Sequence, residues 1–381
     1  MSDIDGAPAP LVICMHCGEQ VAPGGYCGSC GGHLSDADAQ HRLHAYAASP
    51  HESVHRAAVV TTLFPQLPHR DTHVFREVLV GGVALVLLLA ALRLYTPATL
   101  TAALLLPVLY ALYLYEVEVY QHEPVVVLAA TLALGAALGA VYALVLNAIS
   151  TDALGGTDRG PLFSGVLLPI VMQVLMVAGP LLLLSRSHFD GVLDGLTFGV
   201  AAALGFTVAM VVAGEWHVLT AELRGIGVPA DSVLRIVRAG LIAAVVNAST
   251  TGLITATLWV RRHGRSRAAR PSAWRGLEVS AVVALLVQIG LGLATYFIHD
   301  LLLQVVVWAI AAALLLVWLR VVLHHALLEE GGTHHVGPPG VCPECHNLVP
   351  TMLFCPSCGV ARSAAPRHAR GSGGATGEVT A

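Results

Sequence analysis

Long apolar runs separated by short polar breaks fill the chain from about residue 77 to 326. A helix needs roughly 20 apolar residues to cross the hydrocarbon core of a bilayer. By that measure about eight runs predict membrane spans: 77–95, 97–115, 124–149, 161–184, 191–213, 232–260, 277–298 and 300–326. Pro97, Pro124 and Pro161 each stand at the start of a run, where the missing N–H is harmless and the fixed φ favours a helix. The fold class expected is an all-α polytopic membrane protein, with residues 76–326 as an eight-helix bundle. Outside it, 35–75 and 327–340 read as linkers rich in His, Pro, Gly and Ala, and 361–381 as a disordered tail.

Composition agrees with the runs. Of 381 residues 56% are hydrophobic and 12% charged, against about 25% charged in an average soluble protein. The 20 basic residues are all arginine and, set against 24 acids, leave a net charge of -4, which offers no electrostatic footprint for nucleic acid. Residues 1–70 contain no apolar run long enough for a signal peptide, so the amino terminus is expected in the cytoplasm, and an even number of spans returns the carboxyl terminus to the same side. The loop after the sixth run carries Arg261, Arg262, Arg265, Arg267, Arg270 and Arg275 and no acid. Short arginine-rich loops are retained in the cytoplasm, and six crossings place this one there, while Asp152 and Asp158 fall outside. Glu116, Glu118 and Glu123 in an inside loop, and Arg235 and Arg238 entering the sixth span from outside, fit less well.

All eight cysteines lie near the ends, in two modules with the same spacing. Nine residues separate the pair Cys14 and Cys17 from Cys27 and Cys30, and nine separate Cys342 and Cys345 from Cys355 and Cys358. Two residues between cysteines let turn N–H groups face the thiolates, and the connection suits a hairpin that brings two such knuckles around a tetrahedral Zn²⁺. A Cys₄ zinc ribbon is therefore expected at 1–34 and another at 341–360, two structural Zn²⁺ in all, with Gly18, Gly31 and Gly359 where positive φ is often needed. Four thiolates leave no open coordination position for catalysis. Each ribbon reads either as a protein-docking module or as a cap that orders a terminus. Iron, or His16 or His33 as substitute ligands, are lesser alternatives.

His51-Glu52-Ser53-Val54-His55 matches the HExxH pattern of zinc proteases. It lies between Pro50 and Pro65, in a segment with no domain to build a cleft, and reads as a solvated linker helix. The doublets His324-His325 and His334-His335 read as surface residues.

Residues 113–325 carry a more specific order. Tyr115-Glu116-Val117-Glu118-Val119-Tyr120-Gln121-His122-Glu123-Pro124 leads into a span, and Asp190-Gly191, Gly195, Gly199 and Leu204-Gly205-Phe206 follow two helices later. This resembles the PrsW family of intramembrane metalloproteases. Gly191, Gly195 and Gly199 also form one small-residue stripe for close helix packing. The resemblance implies a glutamate pair, a further glutamate and histidines at positions that here read Met172-Gln173, Met210 and Asn247, with no histidine in the seventh span before His299. A hydrolytic metal site takes carboxylate or imidazole ligands and a carboxylate base, so the resemblance without its ligands implies a pseudoprotease of the bacterial inner membrane. Met172, Gln173, Met210 and Asn247 would line a remnant groove. Alternatively Asn147, Gln173, Asn247, Gln288 and Gln304 simply hydrogen-bond between helices. A relocated site could draw on Glu215, His217, Glu222, His299 and Asp300.

The sequence thus predicts a bilayer-embedded, non-catalytic scaffold that binds a protein partner through its ribbons or its bundle. An active intramembrane metalloprotease and a zinc-responsive membrane sensor are the alternatives.

Overall fold

The computed structural model describes residues 11–34, 45–67, 72–116, 125–152, 160–184, 192–216, 219–220, 232–263, 272–329, 336–362 and 364. Among these, eight helical stretches are long and apolar enough to cross a membrane: Thr72–Ala91, Tyr95–Leu114, Val126–Ile149, Leu162–Leu183, Val192–Gly214, Ser232–Trp259, Gly276–Phe297 and Leu301–Leu327. The outward faces are apolar, with Leu88, Leu144, Leu286 and Leu314 exposed by 56–66%, as lipid contact requires. The chain is therefore a multi-pass membrane protein with a small cysteine quartet near each end.

In chain order the helices are α1 (Val59–Leu63), α2 (Thr72–Ala91), α3 (Tyr95–Glu116), α4 (Val125–Asp152), α5 (Leu168–Leu183), α6 (Val192–Gly214), α7 (Ser232–Ile236), α8 (Ala243–His263), α9 (Ser272–Phe297) and α10 (Leu301–Glu329). One π-helical stretch, Leu162–Leu167, precedes α5, and another, Val237–Ile242, joins α7 to α8. The first span ends sooner than the apolar run suggests. Arg93 takes a left-handed φ of 61°, the Leu94 N–H donates to Leu89 O at 2.9 Å and the Arg93 N–H to Ala90 O at 3.0 Å. That is a Schellman stop, here with arginine where glycine is usual.

The centre of the bundle is α6 with α8: 67% of the most apolar 18-residue window of α6 and 72% of the corresponding window within Ser232–Trp259 are buried, against 17–50% for the other spans. Small residues make this approach possible, because helices in lipid gain by close backbone packing. A Cβ at Gly135 or Gly139 of α4 would stand 2.2 Å from the carbonyl oxygen of Ala202 or Phe206. On the other side, a Cβ at Gly199 would meet Thr255 Oγ1 at 2.1 Å, and one at Gly195 would meet the Thr255 carbonyl at 2.9 Å. Gly195 and Gly199 thus belong to the α6–α8 contact, whereas Gly191 lies outside the described residues.

Among the described residues, six short strands form three antiparallel pairs: β1 (Val12–Ile13) with β2 (Gln20–Val21), β3 (Ala45–Tyr46) with β4 (Ser49–Ser53), and β5 (Gly337–Val341) with β6 (Leu348–Thr351). The middle pair and α1 occupy residues expected to be a linker. Instead Tyr46, Val54, Leu63 and Phe64 are buried in the main core, with the Phe64 ring 5.1 Å from Tyr113 and 6.2 Å from Phe75. This cap closes one end of the bundle, where the start of α2 and the end of α10 also lie, and both cysteine modules stand on that same side.

Candidate metal centres and the polar core of the bundle

Each ribbon is two knuckles held by main-chain turns. In the first ribbon Gly18 N–H donates to Cys14 O at 2.9 Å and Gly31 N–H to Cys27 O at 2.8 Å; in the second His346 N–H donates to Cys342 O and Gly359 N–H to Cys355 O, both at 2.8 Å. Gly18, Gly31 and Gly359 have φ of 75°, 70° and 77°, and His346 fills the fourth such position at 57°. The Sγ atoms of each quartet lie within 4.8 Å of one another. Cys14 to Cys30, Cys17 to Cys27 and Cys345 to Cys355 are 3.8 Å apart, and Cys342 to Cys358 is 3.9 Å. Thiolates about 2.3 Å from a tetrahedral zinc ion lie about 3.8 Å apart, so both quartets have the shape of a Cys₄ metal site. His16 and His33 are engaged elsewhere: the His16 Nε2 is 3.1 Å from the His33 carbonyl oxygen, and the His33 ring lies 4.4 Å from that of Tyr26.

The two ribbons dock on each other about an approximate twofold axis. Tyr26 N–H donates to Pro356 O at 3.0 Å, and Phe354 N–H to Gly28 O at 2.9 Å. Tyr26 and Phe354 each precede the third cysteine of their module, and Pro356 and Gly28 each follow it. The rings repeat the exchange, Phe354 covering Gly31 and Tyr26 covering Gly359, and Met352 lies over Gly28 as Pro356 does over Gly24. From this pair, Ala361 N–H donates to Ala47 O at 2.8 Å, and Ala47 N–H donates to His324 Nδ1 of α10 at 3.1 Å. His324, read from sequence as a surface residue, is buried.

The HExxH match is resolved by this cap. His51 lies in β4 and His55 in the turn after it, both exposed, while Glu52 and Val54 point inward. A strand throws alternate side chains to opposite faces, so Glu52 cannot stand over a metal held by the two histidines to activate its water, as the motif requires on a helix. Glu52 Oε2 instead accepts from Arg320 NH2 at 2.7 Å and from Thr61 Oγ1 at 2.7 Å, and Oε1 is ion-paired with Arg76. The Arg320 guanidinium also lies 4.2 Å over the Tyr46 ring. Burial alone would raise the Glu52 carboxyl, but the hydrogen bonds from Thr61 and Arg320 and the charges of Arg320 and Arg76 outweigh it and hold it below the usual carboxylate range. Arg320, six residues before the end of the last apolar run, is the residue that sequence reasoning passed over; its signal was being an uncompensated charge within a span.

Inside the bundle, Gln173 and Asn247 are brought into one buried network. Gln173 Nε2 donates to Thr251 Oγ1 at 2.9 Å and its Oε1 accepts from Thr250 at 3.3 Å. Asn247 Nδ2 donates to Thr207 Oγ1 at 2.9 Å, and Gln288 Nε2 reaches Asn247 Oδ1 at 2.9 Å and Thr250 Oγ1 at 3.0 Å. Four helices, α5, α6, α8 and α9, are tied by these groups. Met172 and Met210 lie instead in an adjoining apolar cluster with Tyr142, Met176 and Phe206, which touches the network where Thr251 Oγ1 donates to Met176 Sδ at 3.7 Å. No protein-family model matches the chain, and no curated protein or solved structure matches it significantly.

The residues considered for a relocated site are spread over separate tasks. Glu215 lines a cavity of about 50 Å³ with Thr99, Ser232 and Arg235. Asp300 Oδ1 accepts the Leu303 N–H at 2.7 Å and so caps the start of α10, beside the exposed His299. His217 and Glu222 lie outside the described residues. Among the described residues, the two cysteine quartets are the groups of three or more His, Cys, Asp or Glu side chains whose ligand atoms converge.

Proposed function

We propose that this chain is a PrsW-like, non-catalytic scaffold of the bacterial inner membrane, with both termini cytoplasmic and a zinc-loaded double ribbon that docks a protein partner. The observation that carries the reading is the buried, uncharged network of Gln173, Asn247, Gln288 and their threonines. Its amides bond one another and the threonine hydroxyls, which also donate to backbone carbonyls of their own helices, and these groups supply neither the charge to hold a cation nor the basicity to activate water. All-thiolate ligands at tetrahedral spacing support zinc held structurally, in a reducing compartment.

The test is an assay of the intact protein in proteoliposomes against a membrane-embedded substrate. No cleavage is expected. Chelator-sensitive cleavage abolished by substituting Glu215, His217, His299 or Asp300 would overturn the reading in favour of a relocated hydrolase site.

One observation favours a second reading, a zinc-responsive sensor. The paths from Ala361 to Ala47 and from Ala47 to His324 connect the ribbon pair to the end of α10. Under that reading metal loss would loosen the cap.

A further inference from the structure

We infer that the two cysteine quartets load metal cooperatively, as one four-knuckle unit, through the reciprocal contact between the ribbons. The inference rests on the quartets being metal sites. Every interface atom lies within a few residues of a ligand. Gly28 and Pro356, whose carbonyls accept across the interface, directly follow Cys27 and Cys355, and Gly31 and Gly359, which receive the rings, directly follow Cys30 and Cys358.

A ribbon this small has no core of its own, so the metal supplies its folding free energy. Metal in one ribbon fixes the knuckle turn, and with it the carbonyl and the glycine face that the other ribbon needs. A first ion therefore builds half of the second site's environment and lowers the ordering cost of the second event. Linkage makes the effect mutual, so that each ion raises the affinity of the other site by the same factor. The rings matter most: Tyr26 and Phe354 are the side chains that cross the interface onto Gly359 and Gly31, and neither is a ligand.

The test uses the full-length protein in detergent, stripped of metal under reducing conditions and titrated with Co²⁺, whose thiolate charge-transfer band reports site filling. Wild type is expected to fill both sites in one sigmoidal step. A Tyr26→Ala/Phe354→Ala variant, with all eight cysteines intact, is expected to fill them independently, with a midpoint at least tenfold weaker. Replacing Cys14 and Cys17 by Ser should weaken the remaining quartet to a similar extent. Met352→Ala, which trims the contact on Gly28 and leaves both rings, should give an intermediate shift and serves if the double variant does not fold. Two ions per chain with non-sigmoidal filling and unchanged midpoints in the variants would overturn the coupling alone. Absence of metal binding by wild type would overturn the metal-site reading beneath it.

Discussion

Arg320 and Glu52, far apart in the chain, meet in a buried ion pair of 2.7 Å that fastens the cap to the last span. The guanidinium is fully enclosed and the carboxylate nearly so, with side-chain exposures of 0% and 4%. Pairs of this kind add little over an apolar contact of the same shape, but removing one partner strands the other charge. The cap therefore depends on both residues together.

Glu52→Gln and Arg320→Met should each destabilise the cap by about 3 kcal/mol, the usual cost of breaking a buried pair. The double substitution should recover part of that loss. Limited proteolysis of the hairpin in the detergent-solubilised protein, with thermal unfolding alongside, checks the ordering.

The same carboxylate gives a pH signature. Its pKa is lowered on folding, so its contribution is fully present above the unfolded value near about 4.3 and fades as pH falls through the folded value. Wild type should therefore lose more stability than Glu52→Gln on acidification from about pH 6 to about pH 3. Parallel thermal melts of the two proteins measure the difference.

The spans and the quartets were legible in the sequence for simple reasons. A bilayer demands long apolar helices, and a tetrahedral thiolate site demands paired cysteines at fixed spacing. The cap was not legible, because Glu52 becomes an interior residue only once Arg320, from the other end of the chain, lies against it. Nor was the docking of the ribbons, since the main-chain donors of Tyr26 and Phe354 and the carbonyls of Gly28 and Pro356 leave no letter in the sequence. The amides were read as interhelical hydrogen-bonders or as groove residues. They form interhelical bonds, and the Gly135–Gly139 contact with α6, a Gly-x-x-x-Gly pattern, went unread.

Gly139→Leu should disrupt the bundle, because its Cβ would stand 2.2 Å from the Phe206 carbonyl oxygen. Gly81→Leu, at a position with nothing within 4 Å, should leave it intact. Recovery of monodisperse protein by gel filtration separates the two.

Gln288→Leu removes donors to Asn247 and Thr250. At about 0.6 kcal/mol per interhelical bond, the loss should be near 1 kcal/mol. A steric-trap or denaturant measurement in bicelles resolves that; a several-fold larger loss would mark the network as more than interhelical glue.

Single cysteines at Ser266 and Thr157 test the orientation with an impermeant thiol reagent applied to intact cells. Thr157 should label and Ser266 should not, as the arginine-rich loop requires. Labelling of Ser266 would invert the topology.

The exchange between Tyr26–Gly359 and Phe354–Gly31 also sets a schedule. The first ribbon leaves the ribosome before the eight spans described above, and its counterpart follows roughly 330 residues later, about half a minute at ordinary translation rates. Until then the Gly28 carbonyl and the Gly31 face stand bare. A chain that stops short of Phe354 and Pro356 keeps them bare, so the closed pair forms only where both ribbons are present in one molecule.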